Sequence, residues 1–244
     1  MGKTVQGRFG KVLLELGGNN ASIVMPDADL ALAVPSVFFG AVGTAGTSSH
    51  DYSCIANTRF EGQRCTSTRR LYLHRDVAPK FLEALKKAYS SIPTGDPLVS
   101  STLLGPLHNQ NAVKAYHNAA MHLHEIGAEV LVGGKVVQPS GFDKGNFVQA
   151  TVAIPPSHDL DLWKKELFAP ILNVALFDEL EQAIEWNNGV PQGLSSSIWT
   201  KDIRNIGKFI GPSGSDCGIV NVSTLISSCD PSDPYQGQRR QQRC

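Results

Sequence analysis

Gln63-Arg64-Cys65-Thr66 places a lone cysteine beside a cation, just ahead of a β-rich run. A nearby positive charge favours the thiolate, the form of cysteine that attacks electrophilic carbon, so Cys65 is a candidate nucleophile. The same residues also suit a small buried packing residue. Leu14-Glu15-Leu16-Gly17-Gly18-Asn19 sets a carboxylate inside an apolar run that ends in paired glycines. A carboxyl group in apolar surroundings keeps its proton to higher pH and can act as a general base near neutrality, whereas at a strand edge it only faces water. Lys165-Glu166-Leu167-Phe168-Ala169-Pro170 has Glu166 and Phe168 two residues apart, hence on one side of an extended segment. There a carboxylate can accept hydrogen bonds from a ribose diol while the ring covers a flat heterocycle. An exposed Glu beside a core Phe satisfies the pattern equally.

Elements must hold these residues in place. From residue 11 to about 222 the pattern alternates short β-rich runs with longer helical ones, which predicts an α/β fold of βαβ units around a mostly parallel sheet. Strands are expected at 12–16, 22–25, 70–74, 129–132, 147–154, 171–177, 196–200 and 218–222. Helices are expected at 77–90, 111–126, 180–187 and 203–209, with Gly127, Gly189 and Gly211 at their stops. A further helix over 29–41 contains Pro35, which predicts a kink or a late start. Two stretches break the order. Residues 47–62 are polar and aperiodic, and 224–244 end in PSDPYQGQRRQQRC, a composition expected to stay disordered.

Taken in order, LELGGN, QRC and ELFAP resemble three segments of the aldehyde dehydrogenase superfamily. These are the segment of its general base, that of its catalytic cysteine, and the E-x-F-x-P element that holds the nicotinamide ribose. Glu15 and Cys65 are 50 residues apart; without the 16 residues of 47–62 the spacing becomes 34, as in the family, and Gly46 joins Gln63 as G-T-A-G-Q-R-C. LLELGGNNA, GLSSSI and SGSDCGIVNV resemble most the antiquitin, or α-aminoadipic semialdehyde dehydrogenase, group. The resemblance spans about 2–222 apart from 47–62.

It implies a three-layer αβα catalytic domain and an NAD-dependent reaction. Cys65 would attack the aldehyde and give a thiohemiacetal, then a thioester after hydride loss; Glu15 would activate the hydrolytic water. Glu166 and Phe168 map to the ribose and nicotinamide contacts, and Leu16 and Gly17 to backbone near the nicotinamide. Arg64 maps to a contact with the substrate carboxylate, implying an aldehyde with an amino-acid end. The family's oxyanion is held partly by the nucleophile's backbone N–H and partly by an Asn from a region absent here. The family forms homo-oligomers, an assembly expected to be compromised in this chain.

The resemblance also divides the chain. Residues 1–21 correspond to a remnant of the NAD-binding domain, without a phosphate-binding glycine loop; 22–222 to the catalytic domain, interrupted by 47–62; and 223–244 to a divergent tail. The sharp edges of 47–62 and of the tail suggest translated intron or frameshifted sequence. An incomplete NAD-linked cycle is therefore expected. A cofactor-free thiol esterase, or a truncated paralogue acting only through subunit association, are the rival readings.

Composition narrows the field. At roughly 150 residues per domain, 244 residues make one large domain or two small ones. Lys plus Arg equals Asp plus Glu at 22 each, which leaves no net field to draw in nucleic acid or an anionic membrane. No apolar run is long enough for a membrane helix, and 1–10 lacks the apolar core of a signal peptide. Five cysteines, odd in number and without a C-x-x-C pair, predict a reducing compartment with no disulfide framework or zinc site. The cytosol is the default; a mitochondrial address would need a targeting segment. His117, His122 and His124 do not stack on one helical face, so they predict surface positions rather than a metal site. Cys217 reads as a packing residue and Gly133-Gly134 as a turn.

Overall fold

The structure, a computed structural model, describes residues 2–14, 16–43, 63–99, 101–142 and 145–224. Glu15, all of 47–62, the tail from 225, and with them Cys54, Cys229 and Cys244 lie outside the described residues. Among the described residues seven strands form one sheet: β1 Asn20–Val24, β2 Thr68–His74, β3 Glu129–Val132, β4 Thr151–Ile154, β5 Ile171–Phe177, β6 Ser195–Trp199 and β7 Ile219–Val222. Their order is β3-β4-β5-β2-β1-β6-β7, with every neighbouring pair parallel except β3 against β4. Among the described residues the helices are α1 Gly2–Gln6, α2 Leu30–Val42, α3 Ala78–Ser90, α4 Gln110–Glu125, α5 Leu180–Asn188 and α6 Ile203–Ile210, with a 3-10 turn at Asp161–Trp163.

Successive strand residues point to opposite faces, and each face finds its own helices. On one face Val24, Leu71, Leu73, Leu172 and Val174 pack with Val34 and Val37 of α2 and with Phe81 and Leu85 of α3. Residues between them pack the other way: Ile23, Tyr72, Phe177 and Ile198 meet Ala183 and Ile184 of α5 and Phe209 of α6. Beside these, Ala153 and Ile171 meet Tyr116, Ala120 and Leu123 of α4. The result is the expected three-layer αβα sandwich. Burial on both faces explains why β1 and β6 are buried at all five positions and do not alternate in polarity.

Three local expectations need correction. The described residues of 12–16, which are 12–14 and 16, do not form a strand: they are irregular, and Leu13 and Leu14 are 64% and 46% exposed. No strand among the described residues runs beside it, so an extended backbone there would gain no ladder hydrogen bonds. The strand expected at 147–154 begins only at Thr151, with Val148 in an isolated bridge to Val136. Finally, of the kink or late start expected from Pro35, the late start is absent. The Asp29 carboxylate caps the helix by accepting from the Ala31 N–H at 3.0 Å, and the helix runs on through Pro35.

Candidate active site at the entry edge of the sheet

Four neighbouring parallel strands, β5, β2, β1 and β6, are entered from 166–170, 63–67, 16–19 and 193–194. Parallel strands start at the same edge, so these four loops meet there although they span most of the chain. The Cys65 loop is a tight turn: the Arg64 N–H donates to Ser67 Oγ at 3.1 Å, and the Ser67 N–H to the Arg64 carbonyl at 3.2 Å. Cys65 is a free, half-buried thiol. Asn20, 2% exposed at the start of β1, clamps this turn. Its Nδ2 donates to the carbonyls of Cys65 and Ser67 at 2.7 and 2.8 Å, while its Oδ1 accepts from the Ser195 N–H of β6 at 3.1 Å.

The paired glycines are required by close approach. A Cβ on Gly18 would collide with the Cys65 carbonyl and with Asn20 Oδ1, and one on Gly17 would collide with the Glu166 carboxylate. The backbone after Glu15 therefore lies directly against both the Cys65 turn and Glu166. Glu166 itself turns inward, its side chain 18% exposed, with Oε1 buried and 3.4 Å from Arg69 Nη2 in an ion pair rather than a hydrogen bond. Phe168 stays 41% exposed, its ring centroid 5.3 Å from the Arg69 guanidinium carbon.

Arg69, 3% exposed in β2, joins these pieces. Its Nε donates to the Leu167 carbonyl at 2.8 Å, Nη1 to the Gly18 and Ser67 carbonyls at 2.8 and 3.1 Å, and Nη2 to the Arg64 carbonyl at 2.6 Å. Burial pulls its pKa down to about 10, with the neighbouring Glu166 and Cys65 opposing that shift, so it remains a cation at neutral pH. Gln63 adds a second tie. Its amide donates to the Phe168 carbonyl at 2.9 Å, lies 2.8 Å from His108 Nδ1, and accepts from the His108 N–H at 3.0 Å.

The structure thus gathers Cys65, Arg64, Gly17, Glu166 and Phe168 at one edge, with Leu16, half exposed, alongside. Glu15 is outside the described residues. This assembly can present a thiol against ordered backbone, next to an exposed aromatic ring and a carboxylate.

Residues 1–240 match the aldehyde dehydrogenase family, a span that takes in 47–62 and most of 223–244. The chain belongs to the aldehyde dehydrogenase family. It is 47% identical over 237 residues to aldehyde dehydrogenase family 7 member A1 of Pisum sativum, covering 97% of this chain and 42% of that protein. To the α-aminoadipic semialdehyde dehydrogenase of Mus musculus it is 45% identical over 235 residues, covering 96% and 40%. Among solved structures, lactaldehyde dehydrogenase from Escherichia coli superposes with a TM-score of 0.77 at 29% identity, covering 93% of this chain and 43% of that one. A 3,6-anhydro-L-galactose dehydrogenase in complex with NAP gives 0.80 at 28%, covering 93% and 44%. The chain therefore spans about two fifths of the length of these relatives.

Within this aldehyde dehydrogenase chain, Asn20 and Arg69 are the site-forming residues that sequence reasoning missed. The available signal was polarity where burial is complete: NN at the mouth of β1 and RR inside β2. Arg70 is the companion case. It points to the opposite face and donates to the carbonyls of Asn19, Trp186 and Asn187 at 2.8, 2.7 and 3.1 Å and to the Tyr72 hydroxyl at 3.0 Å. Beside it His158 is stacked on Trp186 and Trp163, ring centroids 4.2 and 4.6 Å apart, with Nε2 3.1 Å from the Tyr72 hydroxyl.

Proposed function

We propose that this chain carries the catalytic part of an NAD-dependent aldehyde dehydrogenase acting on an aldehyde of the α-aminoadipic semialdehyde kind. The observation that carries the reading is the convergence of Gly17 and Gly18 on Glu166 and the Cys65 carbonyl. It brings the three motifs of the resemblance into one site. Cys65 is the nucleophile: its thiolate adds to the carbonyl carbon, and the resulting thiohemiacetal oxygen faces the Cys65 backbone N–H. Glu15 removes a proton from the water that hydrolyses the thioester. Arg64 receives the carboxylate of the substrate's amino-acid end.

The residues present fit a nicotinamide cofactor. The buried Glu166 Oε1 lacks a hydrogen-bond donor, and the Phe168 ring is exposed for stacking. Glu166 would hold the ribose hydroxyls, and Phe168, Leu16 and Gly17 would flank the nicotinamide. When bound, this group supplies the hydride acceptor. The similarity to an anhydrogalactose dehydrogenase in complex with NAP supports a nicotinamide cofactor, and the similarity to an α-aminoadipic semialdehyde dehydrogenase supports the aldehyde class.

We infer that residues 1–21 belong to the cofactor domain, 22–222 to the catalytic domain and 223–244 to a divergent tail. The described residues hold one sheet. We infer that the 244 residues alone acylate Cys65 without completing the NAD-linked cycle. Mixing the chain with p-nitrophenyl acetate tests this: a stoichiometric burst, lost in Cys65→Ala, with no NADH formed from aldehyde and NAD, is the expected result. Absence of the burst would remove Cys65 from its role, and steady NADH production would refute the impairment. A second reading, association with intact subunits, is favoured by the exposed Phe9, Leu13 and Leu14. A chain that stays monomeric when mixed with a full-length relative would count against it.

A further inference from the structure

We propose that Arg69 is a positioning residue that couples the Glu166 carboxylate to the Cys65 turn, so that what Glu166 binds sets the reactivity of Cys65. This deepens the proposed function and rests on its reading of Cys65 and Glu166.

A guanidinium has five N–H donors in a fixed plane. In Arg69 four of them are committed to main-chain oxygens: Leu167, Gly18, Ser67 and Arg64. Nη2, which carries the fifth, also lies 3.4 Å from Glu166 Oε1 in an ion pair. Glu166 and the Arg64 carbonyl thus share one nitrogen, Nη2, and Arg64 is the residue before the nucleophile. If Glu166 swings towards a ribose diol, the ion pair lengthens and Nη2 is left to the Arg64 carbonyl alone. The plane of the guanidinium transmits that change to Ser67 and Gly18 on its other nitrogen. Gln63 also bridges the two segments, but its hydrogen bond goes to the Phe168 carbonyl. An ammonium could not replace the fork, because three donors on one nitrogen cannot reach oxygens spread over three segments.

The test is a double-substitution cycle read at Cys65 in the 244-residue chain. The rate of alkylation by iodoacetamide at one pH is measured on the Cys65 peptide by mass spectrometry. Glu166→Gln is expected to change that rate roughly threefold or more when Arg69 is present, and by less than about 1.5-fold in Arg69→Lys. Gln63→Ala should leave the Glu166→Gln effect intact. An equal effect of Glu166→Gln with and without Arg69, or no effect in either, overturns the proposal, as does loss of the effect in Gln63→Ala alone. Should Arg69→Lys fail to fold, amide exchange in Glu166→Gln alone decides: altered protection at 63–67 with β3 unchanged supports the coupling, and unaltered protection overturns it. The ester burst is read separately, so its absence would sink the nucleophile reading without deciding whether Arg69 couples the two segments.

Discussion

The Gly18 α-carbon lies so close to the Cys65 carbonyl that a single methyl group on it would collide with that oxygen. The contact joins residues 47 apart in sequence, and it exists because β1 and β2 are parallel neighbours entered from the same edge. Gly18→Ala must push the turn away or shift β1. A displacement of about 1 Å at reacting atoms costs roughly a hundredfold in rate. The ester burst rate should fall by about that factor, while the urea midpoint shows a loss of about 1–3 kcal/mol.

Asn20→Ala removes two donors and one acceptor at once: the Cys65 carbonyl and the Ser195 N–H lose the Asn20 amide, and the Ser67 carbonyl is left to Arg69. Buried unsatisfied groups cost about 1–3 kcal/mol each when water cannot reach them. A stability loss of about 2–4 kcal/mol is expected from urea unfolding. Asn20→Asp should do no better, since it keeps the acceptor for Ser195 but turns an oxygen towards two carbonyls. Stability equal to that of the unsubstituted chain in either variant would show that the clamp is dispensable.

Acid should weaken this fold through His158. Burial against Trp163 and Trp186 and the nearby Arg70 cation lower its pKa from 6.5 to about 4, Asp159 opposing and Lys164 adding to the shift. The unfolded chain therefore binds a proton at this site between pH 6.5 and about 4 while the folded chain does not, so stability falls as pH drops through that window. His158→Phe should flatten the slope of unfolding free energy against pH there. An unchanged slope would exclude His158 as its source.

Arg70 gives a contrast with Arg69. Its four bonds hold the Asn19, Trp186 and Asn187 carbonyls and Tyr72, away from the Cys65 turn. Arg70→Met should cost about 3–5 kcal/mol in thermal or urea unfolding, as expected when buried polar partners lose their cation. At a temperature where it remains folded, its Cys65 alkylation rate should stay within about twofold of the unsubstituted chain.

Sequence periodicity found β3 and β5 to the residue and the remaining sheet strands to within a few, because apolar runs bounded by turns carry that signal. It failed at 12–16, where an apolar run reads as a strand whatever lies beside it, although a strand exists only when paired. For the site, the motif order was legible in QRC, LELGG and ELFAP. Their common edge was not, since parallel order and strand neighbours are set by packing over long separations. Asn20 and Arg69 escaped for the same reason: their partners are main-chain oxygens from distant segments, and a backbone carbonyl leaves no trace in a side-chain pattern.

The Asn20 clamp also bears on how the chain folds. One amide side chain reads residues 65, 67 and 195, and β2 finds β5 about a hundred positions later. Contacts of such separation close late, after the loop entropy of the intervening chain has been overcome. The Cys65 turn is therefore expected to reach its final shape only once β6 has docked and Ser195 has met Asn20. During refolding from urea, Cys65 should remain as open to a thiol reagent as in the unfolded chain until that last step. A truncation that stops short of Ser195 should never bring the turn to its final shape.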